Sequence, residues 1–252
     1  MTAGRTRMPP GPAGSFARAE TPVRTAAGHG RMSHMVEMRH WPLTSLELVT
    51  PRLRLHVPDA AQLDALAGLA AAGVHDPGVQ PFTVGWTDGE PDVVARRVLQ
   101  YAWGTWARWS EQDWSLWLAV SLDGAVIGSQ ELSGHEFAVR REVTTGSWLG
   151  RGFHGKGLGT EMRAAVLHFA FAGLGARHAV SGAYVDNAAS LGVSRKLGYR
   201  DDGVEHHAVR GTDATLQRLR LNREDWETHR SIDVRVDGLD ACLPLFGLPA
   251  DE

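Results

Sequence analysis

The stretch Trp148-Leu149-Gly150-Arg151-Gly152-Phe153-His154-Gly155-Lys156-Gly157-Leu158-Gly159-Thr160 carries the densest chemical signal in this 252-residue chain. Glycines at 155, 157 and 159 leave the backbone without Cβ atoms, so its N–H groups can crowd against an anion. Met162, Ala165, Val166 and Phe169 then recur at the spacing of one helix face, which places a helix N-terminus, with its positive dipole end, at the same spot. A pyrophosphate suits such a cradle. The plainer alternative is a glycine-rich turn that only joins a strand to a helix.

Spacing separates the phosphate-binding motifs that compete for these residues. A dinucleotide fingerprint begun at Gly155 needs its third glycine where Thr160 stands. A P-loop would use Gly150, Gly155 and Lys156, but Gly157 occupies the place of the magnesium-binding hydroxyl. The segment His154-Gly155-Lys156-Gly157-Leu158-Gly159 resembles the coenzyme A loop of the GCN5-related N-acetyltransferases (GNAT), Gln/Arg-x-x-Gly-x-Gly/Ala, with His in place of the first residue. Further on, Asn187-Ala188-Ala189-Ser190 and Lys196-Leu197-Gly198-Tyr199 resemble the second half of the same signature, Asn-x-x-Ser/Ala followed by Lys-Leu-Gly-Phe/Tyr. Thr50-Pro51-Arg52-Leu53-Arg54-Leu55, Trp148-Leu149 and Gly159-Thr160-Glu161 are similar to the ribosomal-protein N-terminal (RimJ/RimL-type) branch, and within it to actinobacterial acetyl- or succinyl-CoA acyltransferases. The resemblance covers about residues 46 to 228.

It implies an α/β (α+β) GNAT fold and an acyl-CoA-dependent N-acyltransferase that moves an acetyl, succinyl or other acyl group onto a primary amine by direct attack in a ternary complex. It also implies donor-binding residues: Trp148, Leu149, His154, Gly155, Lys156, Gly157, Leu158, Gly159, Thr160, Asn187 and Ser190. In that family the Asn bonds the pantetheine arm. The group that protonates the thiol falls on Ser190, three residues after Asn187, or on Ser194, seven after it, where many members carry Tyr. Helix capping or local backbone bonding is the plain alternative for both serines. The rival function is a catalytically idle acyl-CoA-binding sensor or scaffold.

Amine attack on a thioester needs a proton acceptor. Glu131 is the first candidate for it, followed by Glu142 and His135, and a solvated strand residue is the alternative for Glu131. Trp103, Trp106 and Trp109 recur every third residue, a stripe that reads as core before it reads as a ligand box. The family's first two helices form the acceptor pocket, so some of these rings could line it. Arg96, Arg97 and Arg108 could there neutralise an acidic acyl group, or simply face solvent. No His-Glu-x-x-His or Cys/His zinc spacing occurs, and a metal is not expected.

The elements that must hold these residues follow from periodicity. Strands are expected at 52 to 57, 115 to 121, 125 to 133, 141 to 149, 179 to 185, 204 to 209 and 216 to 221, making a mixed, mostly antiparallel sheet of about seven strands. Helices are expected at 59 to 72, 92 to about 111, from 160, and after Asp186-Asn187. Asp123-Gly124 suits a two-residue hairpin turn.

Domains are expected at 1–38 (a disordered, proline- and arginine-rich tail), 39–229 (the acyltransferase) and 230–252, whose run Cys242 to Leu248 is apolar enough to dock on the body or a partner. The net charge of −3 argues against nucleic acid, and no apolar run approaches the ~20 residues that span a bilayer. One cysteine fits a reducing compartment. The expectation is therefore a cytoplasmic enzyme, a homodimer or higher homo-oligomer, acting on a small-molecule or peptide amine.

Overall fold

The computed structural model describes residues 38–249, so the tail expected over residues 1 to 38 lies, but for Met38, outside the described residues. In chain order come β1 (Glu47–Val49), β2 (Leu53–His56), α1 (Ala60–Ala71), α2 (Pro91–Ala107), β3 (Asp113–Leu122), β4 (Ala125–His135) and α3 (Phe137–Arg140). They are followed by β5 (Glu142–Leu149), α4 (Leu158–His168), β6 (His178–Tyr184), α5 (Ala188–Lys196), β7 (Arg200–Val209), β8 (Thr212–Asn222), α6 (Arg223–His229) and β9 (Arg235–Asp237).

These strands form one sheet in the order β7-β8-β6-β5-β4-β3-β2-β1-β9. Nine strands replace the expected seven, and the two additions, β1 and β9, are three residues each. Three residues are too few for a period of two to show in a sequence. Their pairing needs partners 190 and 188 residues apart, as Glu47 opposes Asp237 and Leu48 opposes Val236. The second helix stops at Ala107, short of the expected 111, because the chain must turn at Arg108 to enter β3.

Local chemistry explains the boundaries. Asp59 caps α1 by accepting from Gln62 N at 2.8 Å, while the Gln62 side chain accepts from Asp59 N at 2.9 Å, a reciprocal capping box. The β3–β4 turn uses Asp123 and Gly124 at φ 50° and 81°, the left-handed pair a two-residue hairpin demands.

The sheet is buried on both faces, and β3 shows how. Leu116, Leu118 and Val120 point to the face covered by α4, and Trp117 and Ala119 point to the face covered by α1 and α2. The apolar run after Leu239 docks on the body: Phe246 is fully buried against Trp109, Trp114 and Phe169, and Trp109 Nε1 donates to Leu245 O at 2.8 Å. Trp106 and Trp109 thus belong to packing, whereas Trp103 is exposed.

Candidate active site

The sheet's one parallel pair makes the opening. Strand β5 pairs with β6 over only three positions, Glu142 with His178, Val143 with Ala179 and Thr144 with Val180. Beyond Thr144, β5 stays with β4 as far as Leu149, and β6 stays with β8 as far as Tyr184. The two strands therefore part into a wedge at their carboxyl ends, with unpaired backbone along β5, the place where open α/β sheets take ligands.

The glycine loop sits at the mouth of this wedge. Gly155 and Gly157 have φ 74° and 76°, in the left-handed region open to glycine, and Gly157 is the N-cap of α4. A Cβ on Gly155 would meet nothing within 4 Å, and one on Gly157 only Arg52 Nη2 at 3.6 Å. The loop thus faces open space beside a helix N-terminus and a guanidinium, a fit for a pyrophosphate. His154 holds the loop closed, its Nε2 lying 2.9 Å from Leu149 O, so the imidazole that replaces the family's Gln/Arg ties the loop to β5. Lys156 Nζ donates to Gly152 O at 2.8 Å and covers the Phe153 ring. Leu158 is buried as core under the loop, and Gly159 and Thr160 form the first turn of α4.

Arg52 escaped the sequence argument as a site residue. Its Nε donates to Glu161 Oε2 at 2.6 Å and its Nη1 to Lys156 O at 3.2 Å, while Thr50 Oγ1 donates to Glu161 Oε1 at 2.6 Å. The buried Glu161 in the first turn of α4 thereby locks the start of β2 to the loop. The only sequence signal was the Thr50-Pro51-Arg52 run.

Asn187 is the N-cap of α5, its Oδ1 accepting from Ser190 N at 3.0 Å. That oxygen is occupied, which leaves the amide N–H2 to donate to a ligand. Ser190 is half-buried and its Oγ makes no hydrogen bond among the described residues. Ser194 is 0% exposed: its Oγ donates to Ser190 O at 3.2 Å and accepts from Arg163 Nη1 at 2.9 Å.

On the opposite face, Glu131 of β4 stands in register with Gly146. The carboxylate accepts from Tyr101 Oη at 2.7 and 2.8 Å and from Ser115 Oγ. Burial first, then the neighbouring Glu131 charge, pushes the Tyr101 phenol well above its ordinary value, so it remains a donor. The other two base candidates lie elsewhere. Glu142 is held by Arg140 and Arg220, both at 2.6 Å, at the closed end of the wedge. His135, beside Asp113 at 3.8 Å, ends β4 seven residues from Gly128, which opposes Leu149, or about 23 Å along the strand.

On the Glu131 face, Trp148 packs on Trp86 and Trp86 on Phe82, with ring centroids 5.7 and 5.0 Å apart. This row leads to a cleft of about 340 Å³ lined by Val74, His75, Asp88, Val94 and Arg210, across which Arg210 and Asp88 pair at 2.5 Å. Arg97 is spent on the carbonyls of Trp86 and Asp88, whereas Arg108 lies close enough to Tyr101 to ease its ionisation. Among the described residues no three His, Cys, Asp or Glu side chains group to hold a metal ion, and no helix is long and apolar enough to cross a membrane.

The sequence pattern of the Acetyltransferase (GNAT) domain matches residues 52–200, more than half of the chain. The chain belongs to the GNAT acetyltransferase family. Solved acetyltransferases share the fold at low identity. Mycobacterium smegmatis RimJ in complex with CoA-disulfide is similar at 17% identity, 73% of this chain, 90% of that one and a TM-score of 0.59. The ribosomal L7/L12 alpha-N-protein acetyltransferase RimL, in complex with coenzyme A, is similar at 18% identity over 70% and 97% of the chains, with a TM-score of 0.56. A GCN5-related N-acetyltransferase from Brucella melitensis gives 19% identity, 73% and 81%, and 0.57. In this GNAT acetyltransferase the parted strands and the glycine loop lie together beside the N-terminus of α4.

Proposed function

We propose that this protein is an N-acyltransferase of the ribosomal-protein N-terminal type, which transfers an acetyl group, or a larger acyl group such as succinyl, from coenzyme A to a primary amine by direct attack. One observation carries the reading: the wedge between β5 and β6 opens directly onto the glycine loop and the N-terminus of α4. The loop N–H groups, with Arg52 beside them, would hold the pyrophosphate, and the free edge of β5 and the Asn187 amide would hold the pantetheine arm. The RimL neighbour's action on a protein α-amine supports a peptide N-terminus as acceptor. The aromatic row and cleft on the Glu131 face offer it a place.

Chemistry follows from that arrangement. The donor supplies a thioester carbon. An amine arriving from the Glu131 face loses its proton toward that carboxylate, directly or through one water, as its nitrogen bonds the carbon. The carbon–sulfur bond breaks with its electron pair passing to sulfur, and Ser190 Oγ, without a hydrogen bond among the described residues, is the hydroxyl that meets the departing sulfur. No covalent enzyme intermediate is needed.

The test is incubation with acetyl-CoA or succinyl-CoA and a panel of peptides and small amines, following free CoA and acceptor mass together. Acylated amine formed with each CoA released supports transfer. Tight donor binding without turnover across the panel would favour the sensor reading instead.

A further inference from the structure

Arg163, in the second turn of α4, is 5% exposed and forms no ion pair among the described residues. Its guanidinium donates to Ser194 Oγ on α5 at 2.9 Å and to Ser147 Oγ on β5 at 3.2 Å, and its Nε is buried without a partner. Ser147 lies past the last β5–β6 pair, in the parted stretch, and meets Arg163 of α4. Arg163 therefore spans the floor of the wedge from β5 to α5, on the face opposite Glu131.

A side chain serving only to pin three elements has no need of charge. Burying an ion without a counter-ion costs several kcal/mol even after relaxation, and two neutral hydroxyls do not neutralise it. Burial depresses the Arg163 pKa, with only the Tyr199 phenol working against this, and Tyr199 is itself held neutral by burial. Gln130 Oε1, cross-strand from Ser147, is also buried without a partner, but an amide oxygen is not an anion. The carboxylates described around the wedge pair elsewhere: Glu161 with Arg52, Glu131 with Tyr101 and Ser115, Glu142 with Arg140 and Arg220. The wedge floor thus holds a positive charge that lacks a negative partner among the described residues.

We propose that Arg163 is a positioning residue whose guanidinium, fixed by Ser147 and Ser194 beneath the wedge, sets a positive charge beside the coenzyme A thiolate as it leaves. The inference rests on the acyl-CoA reading of the wedge. In the transfer step the amine nitrogen bonds the thioester carbon, the amine proton passes to the Glu131 side, and the electron pair of the breaking bond goes to sulfur, which later takes a proton from solvent. The thioester is uncharged at sulfur and the thiolate is not, so a fixed cation favours the transition state over the bound substrate. It also favours the ionised form of bound CoA.

The experiment is an ultraviolet titration of the thiol of CoA bound to the full-length protein, with calorimetry to establish binding. The wild type should ionise bound CoA about one pH unit or more below an ordinary thiol at about 8.5. Arg163→Lys should keep most of that shift, and Arg163→Met should abolish it and lower kcat about tenfold or more with KM for acetyl-CoA nearly unchanged. A wild-type thiol that ionises at or above its free value overturns the proposal without any variant, and leaves the transferase reading standing if CoA binds and turns over. Loss in Arg163→Met confined to dicarboxylic acyl donors would overturn it by showing that the cation reads the acyl group. Failure of CoA to bind would overturn both readings.

Discussion

Asn187 caps α5 with its amide oxygen, and in the proposed site its amide N–H2 binds the pantetheine arm, so the two tasks can be separated. Asn187→Ala removes the α5 cap, at about 1 kcal/mol of stability, along with the donor N–H. Asn187→Asp keeps an oxygen for Ser190 N but loses the N–H, so melting temperature should stay near the wild type while acyl-CoA affinity falls as it does in Asn187→Ala. Equal melting losses in both variants would deny the capping role. Ser190→Ala should lower kcat about tenfold with little change in KM, because a bond to sulfur strengthens only as charge develops there. An unchanged kcat would remove Ser190 from the reaction. Glu131→Gln still accepts from Tyr101 and Ser115, so it should fold normally and lose about a hundredfold in kcat/KM. Full activity would show that another group takes the proton. The loop glycines announced themselves in the sequence because their conformational preference is local, and Asn187 because its motif resembles the family's. Arg163 did not, since an arginine on an amphipathic helix reads as solvated until Ser147 and Ser194 close around it.

Among the elements, the loop leading into α4 carries the heaviest burden. Gly157→Val places a β-branched residue at φ 76°, at a strain of about 1–3 kcal/mol, and sets methyls where the pyrophosphate would approach. Acyl-CoA affinity should drop below detection by calorimetry while far-UV dichroism stays native. Retained affinity would take the loop out of the account. The strand–loop–helix unit was legible because its hydrophobic period changes from 2 to 3.6 across a glycine cluster, and the β3–β4 hairpin because Asp123-Gly124 names its turn. The wedge was not, because the parting of β5 from β6 is set by what each strand pairs with on its other side.

At the scale of the molecule, the last strand and the apolar run after it complete the body. Phe246→Ala should cost about 3–5 kcal/mol by chemical denaturation, since the ring is enclosed by Trp109, Trp114 and Phe169. A loss below 1 kcal/mol would mean the segment is only laid against the surface. Cys242 gives a pH signature of the same packing. Burial pushes its thiol up to about 11, so the folded form holds a proton that the unfolded form releases near 9. A folded pKa raised in this way means stability is intact below about pH 9 and declines as pH rises toward 11, by about 2–3 kcal/mol for this one group. Unfolding curves at pH 8 and pH 11 should therefore differ less in Cys242→Ala than in the wild type, and an equal alkaline loss would show that the thiol ionises freely. The β1–β9 closure was invisible in the sequence for the opposite reason to the loop, because nothing within three residues shows which distant strand will cover them.

The proposed function requires the wedge to be a place of transfer and not of binding alone. The most direct measurement is stopped-time mass spectrometry of a peptide amine and acetyl-CoA with the wild-type protein, counting acetylated peptide against CoA released. The two should appear together in equal amounts and in proportion to enzyme. Saturable acetyl-CoA binding with no acylated product from any amine offered would contradict it.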